Sequence, residues 1–157
     1  MCGLCGVVGP LARAGAEDVE AMGASLSHRG PDDSGSWRAK FAEKGEAFEV
    51  ALGHRRLAII DLSPLGHQPM ASVDGALTIA FNGEIYNYRE LRAELVARGA
   101  HFRSESDTEV LLEGWRAWGL EVLPRLNGMF AFALWDDRER RLGLARDPLG
   151  IQPPSYR

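Results

Sequence analysis

Small apolar residues open the chain. The run CGLCGVVG predicts a strand whose glycines allow close packing against another layer. Val19, Met22 and Leu26 then recur at helical spacing, predicting a helix over Glu17 to Leu26 that stops before the loop-forming HRGPDDSG. Val50 to Asp61 and Ala76 to Phe81 are rich in apolar and β-branched residues and predict two strands, with SPLGHQPM as the loop between them. FNGEIYN reads as a turn after the second of these. Asn87 with Glu90 resembles a capping box opening a helix that carries Leu91, Leu95 and Val96 and is closed by Gly99. Ser106 with Glu109 repeats the capping pattern before Val110, Leu111, Leu112, Trp115 and Trp118. MFAFALW is apolar at every position, the pattern of a strand buried on both faces, and DDRER turns the chain so that LGLA returns as a hairpin arm. Strands and helices are thus mixed within one α+β unit over residues 1–157, with no repeat or linker.

Composition narrows this little. The chain of 157 residues is 45% hydrophobic and 25% charged, as expected of one globular domain. Its 18 basic residues are scattered among 22 acidic ones, for a formal net charge of −4, so nucleic acid is not an expected partner. No stretch approaches the roughly 18 apolar residues that span a bilayer, and the first residues lack the pattern of a signal peptide. No membrane partner is expected, and the chain reads as cytoplasmic.

Position 2 is where chemistry enters. Once Met1 is removed, the thiol and the free α-amino group of Cys2 belong to the same residue, so a nucleophile and its base come together. An unperturbed thiol titrates near ~8.5 and an α-amino group near about 7.7–8.0, so a neutral amine can relay the thiol proton at physiological pH. By position alone, a small buried hydrophobe is the commoner role for such a cysteine. Cys2 and Cys5 also form a CxxC. Three residues apart in a strand, they project from opposite faces, so no disulfide is expected; a zinc site would need two further close ligands, which no second CxxC or histidine pair supplies.

The blocks MCGLCGVVG, LSHRGPDDSG, LGHRRLAIIDLSPLGHQPM, FNGEIYNYRELR, SDTEVLL, RLNGMFAFALWD and LARDPLG occur in order along almost the whole chain. In these blocks the sequence resembles the N-terminal glutaminase domain of asparagine synthetases, within the class II glutamine amidotransferases. HRGPD and NGEIYN favour that branch over relatives serving other ammonia acceptors. The resemblance implies an N-terminal nucleophile hydrolase, an αββα sandwich of two antiparallel sheets. It implies a reaction in which Cys2 attacks the side-chain amide of glutamine, releases ammonia, and is freed from the resulting thioester by water to give glutamate.

The same resemblance implies roles for further residues. Asn82, through its side-chain NH₂, and Gly83, through its backbone N–H, would form the oxyanion hole. An ordinary Asn-Gly turn is the bland alternative. Arg56 would clasp the substrate α-carboxylate, a task that suits its planar fork, although a lone Arg is more often a solvated charge. Asp107 would pair with the α-ammonium, with Glu84 beside it, although Asp107 could simply favour the start of the following helix. The backbone around Ile59 and Ile60 would line the pocket. His28 and His54 are assigned to structure, His67 and His101 to no role, and Asp32, Asp33, Asp136 and Asp147 to capping turns or binding Arg.

No metal or cofactor is expected for this domain. ATP and magnesium would serve only a synthetase domain, which the chain lacks, so the chain alone is not expected to make asparagine. After LARDPLG the chain reads IQPPSYR, where the family continues with further strands, so the sandwich is expected to be incomplete at its C-terminal end. Glutamine, a synthetase domain or chain as ammonia acceptor, and a second copy of the chain are the expected partners. A catalytically silent glutamine-binding or assembly module is the alternative, with a CxxC redox or zinc site ranked below it.

Overall fold

The computed structural model describes residues 2–11, 15–152 and Ser155. Met1, and most of the closing residues after Gln152, lie outside these.

Two antiparallel sheets carry the fold. In the first, β1 (Gly3–Pro10) and β2 (Asp33–Glu43) flank β3 (Glu46–Arg56). The second runs in the order β4 (Met70–Ala71), β5 (Leu77–Ile85), β6 (Gly128–Asp136), β7 (Arg141–Arg146). Helix α1 (Ala16–Ser25) packs on the outer face of the first sheet. Helices α2 (Tyr88–Ala97) and α3 (Asp107–Trp118) cover the second, completing the expected αββα sandwich.

The period-2 rule sorts the side chains between layers. On β6, Phe130, Phe132 and Leu134 join Ile79 and Phe81 of β5 in a core shared with Leu91, Leu95, Leu111 and Leu112 of the helices. Ala133, the intervening residue, packs with Ala80 and Leu52 between the sheets, and Trp135 meets Phe41 of the first sheet at 5.1 Å between ring centroids. Both faces of β6 are therefore dry, which is why MFAFALW shows no alternation. Truncating Phe132 or Leu111 to Ala would cost about 2–5 kcal/mol. The same rule turns Cys5 outward, its Sγ 3.7 Å from the carbonyl of Val19 in α1, away from Cys2. Both thiols are free.

Four local expectations change. The predicted strand over Val50 to Asp61 ends at Arg56: Asp32 takes the Arg56 carbonyl through its N–H and the Ala58 N–H through its carboxylate, at 3.1 and 2.9 Å, and the chain leaves the sheet. FNGEI is not a turn. Asn82, Gly83 and Glu84 lie within β5, paired with Ala131, Phe130 and Met129, because β6 offers partners along the whole strand. The capping box at Asn87 does not form: its side chain instead bridges Asn127 N and Arg125 O, both at 2.9 Å. At α3, Ser106 does cap, accepting the Thr108 N–H at 3.0 Å, but Glu109 binds the N–H groups of Arg103 and Ser104 rather than reaching back to Ser106. Strand β2 takes up the last three residues of HRGPDDSG, read as loop, and continues through a stretch for which no expectation was drawn, where the signal is weak: Trp37, Ala39 and Phe41 alternate with Arg38 and Lys40.

Candidate active site

A pocket opens where the chain enters β1 and leaves β3, beside the last residues of β5 and the start of α3. Cys2, Arg56, Ile59, Ile60, Asn82, Gly83, Glu84 and Asp107 all line it. The fold thus gathers every expected site residue into one cavity, drawn from four separate parts of the chain.

Cys2 sits one residue before β1. Its sulfur accepts the Leu57 backbone N–H at 3.3 Å and lies 3.6 Å from the Leu57 carbonyl, so one residue at the β3 exit holds the thiol at the pocket wall through the two peptides that flank it. Next to that residue, Arg56 is buried, and its guanidinium donates to the carbonyls of Asp61 and, at 3.1 Å, of Ser63. The loop that curls around it leaves no room for a side chain at Gly66, where a Cβ would collide with the guanidinium. Asp61 fastens the loop, accepting the N–H groups of Ser63 at 2.8 Å and Glu105 at 3.0 Å. Arg56 is therefore pre-oriented, with part of its fork used on backbone carbonyls and its charge uncancelled by any carboxylate ion pair among the described residues. Ile59 and Ile60 lie on this loop, Ile59 at the rim and 67% exposed.

Opposite, β5 presents Asn82, Gly83 and Glu84. Gly83 has φ +153°, and a Cβ there would strike the Met129 carbonyl and the Phe130 backbone, so only glycine suits the position. Asn82 is 8% exposed. Asp107, the first residue of α3, accepts the Ile85 N–H at 3.0 Å and is 5% exposed. Burial pushes its carboxyl up to about 6; the N–H groups of Ile85 and Thr108 oppose this and the nearby Glu84 charge adds to it. A desolvated carboxylate beside a second one is a site that gains from a cation.

Sequence reasoning overlooked two members. Leu57 fell inside a predicted strand, although its peptide is the partner of the thiol. Gln68 was assigned to a loop, yet it is buried, accepts the Phe81 N–H at 2.7 Å and donates to Thr108 Oγ1 at 3.2 Å, joining β5 to α3 beneath the pocket. No local pattern marks either. His54 has the structural place expected of it: Nε2 lies 2.9 Å from the Phe81 carbonyl, pegging β3 to β5. Burial lowers its pKa to about 4, against the Phe81 hydrogen bond and with help from the Arg56 charge. His67, given no role, pairs with Asp33 at 2.7 Å. Asp32, Asp136 and Asp147 all accept backbone N–H groups at turns. Among the described residues, no group of three or more His, Cys, Asp or Glu is arranged to hold a metal, and no helix is long and apolar enough to cross a membrane.

A family model for the glutamine amidotransferase domain matches residues 1–157. A putative glutamine-hydrolysing asparagine synthetase of Mycobacterium tuberculosis (strain H37Rv) is 46% identical over 165 aligned positions, covering 98% of this chain and 25% of that protein. The glutamine-hydrolysing asparagine synthetase 1 of Bacillus subtilis is 43% identical, covering 99% of this chain and 24% of its own length. Among solved structures, the glutamine phosphoribosylpyrophosphate amidotransferase of B. subtilis, complexed with ADP and GMP, superposes with a TM-score of 0.70 at 27% identity, covering 94% of this chain and 38% of that one. The chain spans about a quarter of the length of the curated relatives it matches.

Proposed function

This chain belongs to the glutamine amidotransferase domain family, and from that premise we propose that it hydrolyses the side-chain amide of glutamine to glutamate and ammonia. The observation that carries the reading is one pocket lined by a thiol, a guanidinium in no carboxylate ion pair among the described residues, a buried carboxylate and the Asn82–Gly83 pair. A glutamine fits their chemistry: its α-carboxylate to Arg56, its α-ammonium to Asp107 and Glu84, and its amide carbon to the Cys2 sulfur.

In this reading, the α-amino group of Cys2, exposed by loss of Met1, takes the thiol proton as sulfur attacks the amide carbon. The oxygen of the tetrahedral intermediate gathers charge and is met by the Asn82 NH₂ and the Gly83 N–H, donors held in place before the reaction begins. Collapse breaks the carbon–nitrogen bond, and the proton held on the α-amine leaves with ammonia. Water then attacks the thioester, the same amine accepting its proton, and glutamate departs as the thiol is restored. Hydrogen bonds and one amine suffice for these steps, so we assign the domain no cofactor of its own.

The ammonia has an acceptor elsewhere. The relatives are named as asparagine synthetases, and we propose that a synthetase segment or partner chain, using ATP and magnesium, delivers this ammonia to an activated aspartate. The whole of residues 1–157 serves as the glutaminase unit of that system. The direct test is release of glutamate and ammonia from glutamine by the purified chain. Release that vanishes in Cys2→Ala supports the reading, and release that persists in Cys2→Ala overturns it.

A further inference from the structure

Asn82 is tethered by a residue from far along the chain. Its Nδ2 donates to Oε1 of Gln152 at 3.0 Å, and among the described residues this is the only hydrogen bond of the Asn82 side chain; Oδ1 is buried without a partner. The torsion that turns an asparagine amide about its own axis is broad and roughly two-fold, so packing leaves the plane of the group loosely defined. One hydrogen bond in that plane defines it. An NH₂ carries two hydrogens, and a bond to Gln152 occupies one while the other stays available.

Gln152 is itself held firmly. It is 3% exposed, and its backbone N–H donates to Asp147 Oδ2 at 3.1 Å. Asp147 accepts the N–H groups of Ile151 at 3.0 Å and Phe130 at 3.3 Å through the same carboxylate, and its own N–H donates to the Phe130 carbonyl at 2.8 Å. Phe130 is the cross-strand partner of Gly83. A closed circuit therefore runs from Gly83 through Phe130, Asp147 and Gln152 to Asn82, joining the two oxyanion donors through a segment that follows β7.

We propose that Gln152 is a positioning residue for the oxyanion hole, fixing the plane of the Asn82 amide so that its second hydrogen is aimed at the developing oxygen. The proposal rests on the reading of Asn82 as an oxyanion donor. Gln152 touches no reacting atom in it; it acts through Asn82 alone. Preorganised donors act in the transition state more than in the bound ground state, so loss of the tether lowers kcat and leaves KM nearly unchanged.

Gln152→Met keeps the volume and removes the hydrogen bond; Gln152→Ala removes both. In the purified chain, Gln152→Met is expected to lower kcat for glutamine hydrolysis by about tenfold, with KM within about twofold. Placed on top of Asn82→Ala, it is expected to add no further loss, because the two changes act through the same amide. Independently of activity, the Asn82 NH₂ signals in the NMR spectrum, assigned by their absence in Asn82→Ala, should exchange with solvent at least about tenfold faster in Gln152→Met, as a freed amide does. Full kcat in Gln152→Met, the same loss repeated in the Asn82→Ala background, or unchanged exchange would each overturn the proposal. Wild-type kcat in Asn82→Ala, or no glutaminase activity in the unsubstituted chain, would overturn the underlying reading as well, which separates the two failures.

Discussion

The carboxylate of Asp107 accepts the backbone N–H of Ile85 at 3.0 Å, fastening the first turn of α3 to the end of β5, the strand that carries Asn82 and Gly83. That contact fixes the group proposed to receive the substrate ammonium, and burial raises its pKa to about 6. A substrate cation favours the ionised form, so glutamine binding should release a proton near that pH. KM for glutamine is expected to rise about tenfold for each pH unit below about 6. Asp107→Asn should raise KM above about pH 6 and flatten this dependence, the two proteins converging as the wild-type carboxyl is protonated; a pH series of initial rates over the acid range decides it.

His54 makes a stability prediction of definite sign. Its folded pKa of about 4 lies below the ordinary 6.5, so between those values the unfolded chain binds the extra proton. Stability contributed by the neutral, buried imidazole is complete above about 6.5 and is lost as pH falls toward 4, by about 3 kcal/mol at most. Asp107 works the other way: its raised pKa makes the folded chain the better proton binder as pH falls below about 6, offsetting part of the loss. Urea midpoints measured between pH 4 and 7.5 should fall less steeply in His54→Gln, which can still donate to the Phe81 carbonyl.

The two thiols should separate by role. Cys2→Ala is expected to abolish glutamine hydrolysis, whereas Cys5→Ala, whose sulfur faces Val19 on the far side of β1, should keep most of it. Intact mass should show Cys2 as the first residue of the active molecules, because an acylated α-amine cannot serve as a base. Full activity in molecules shown to retain Met1 would refute the proposed base.

Arg56 and Asn82 should fail in different ways. Asn82→Ala is expected to lower kcat by roughly 10²–10³, while Arg56→Ala should act chiefly on KM. The structure adds a second effect for Arg56: its guanidinium also holds the carbonyls of Asp61 and Ser63, so its loss should loosen the rim loop that carries Ile59. Arg56→Lys is expected to rescue poorly, since an ammonium cannot span the loop carbonyls and a carboxylate at once. Steady-state kinetics on the three variants separates these outcomes.

Much of this protein is written locally. The unbroken apolar run of β6, the helical spacing within α3, the Ser106 cap and the hairpin into β7 are read from neighbouring residues because each depends on its own periodicity and end signals. The resemblance of the ordered blocks then brought Cys2, Arg56, Asn82, Gly83, Glu84 and Asp107 together as a site before any geometry was known. What remained belonged to contacts between distant residues. Asn-Gly ordinarily signals a turn, but β6 pairs with β5 straight through it, and that pairing overrides the local preference. Asn87 carries a cap signature but spends its side chain on Arg125 and Asn127, some forty positions away. The strand after Val50 stops at Arg56 because Asp32 binds the two peptides that flank Leu57, and the other ends of those peptides hold the Cys2 thiol. Gln152 has no local feature to distinguish it from any polar residue near a chain end. Its place beside Asn82 arises only once β6, β7 and Asp147 have folded the segment back across the sheet, because a hydrogen bond between residues 70 positions apart leaves no period in the sequence.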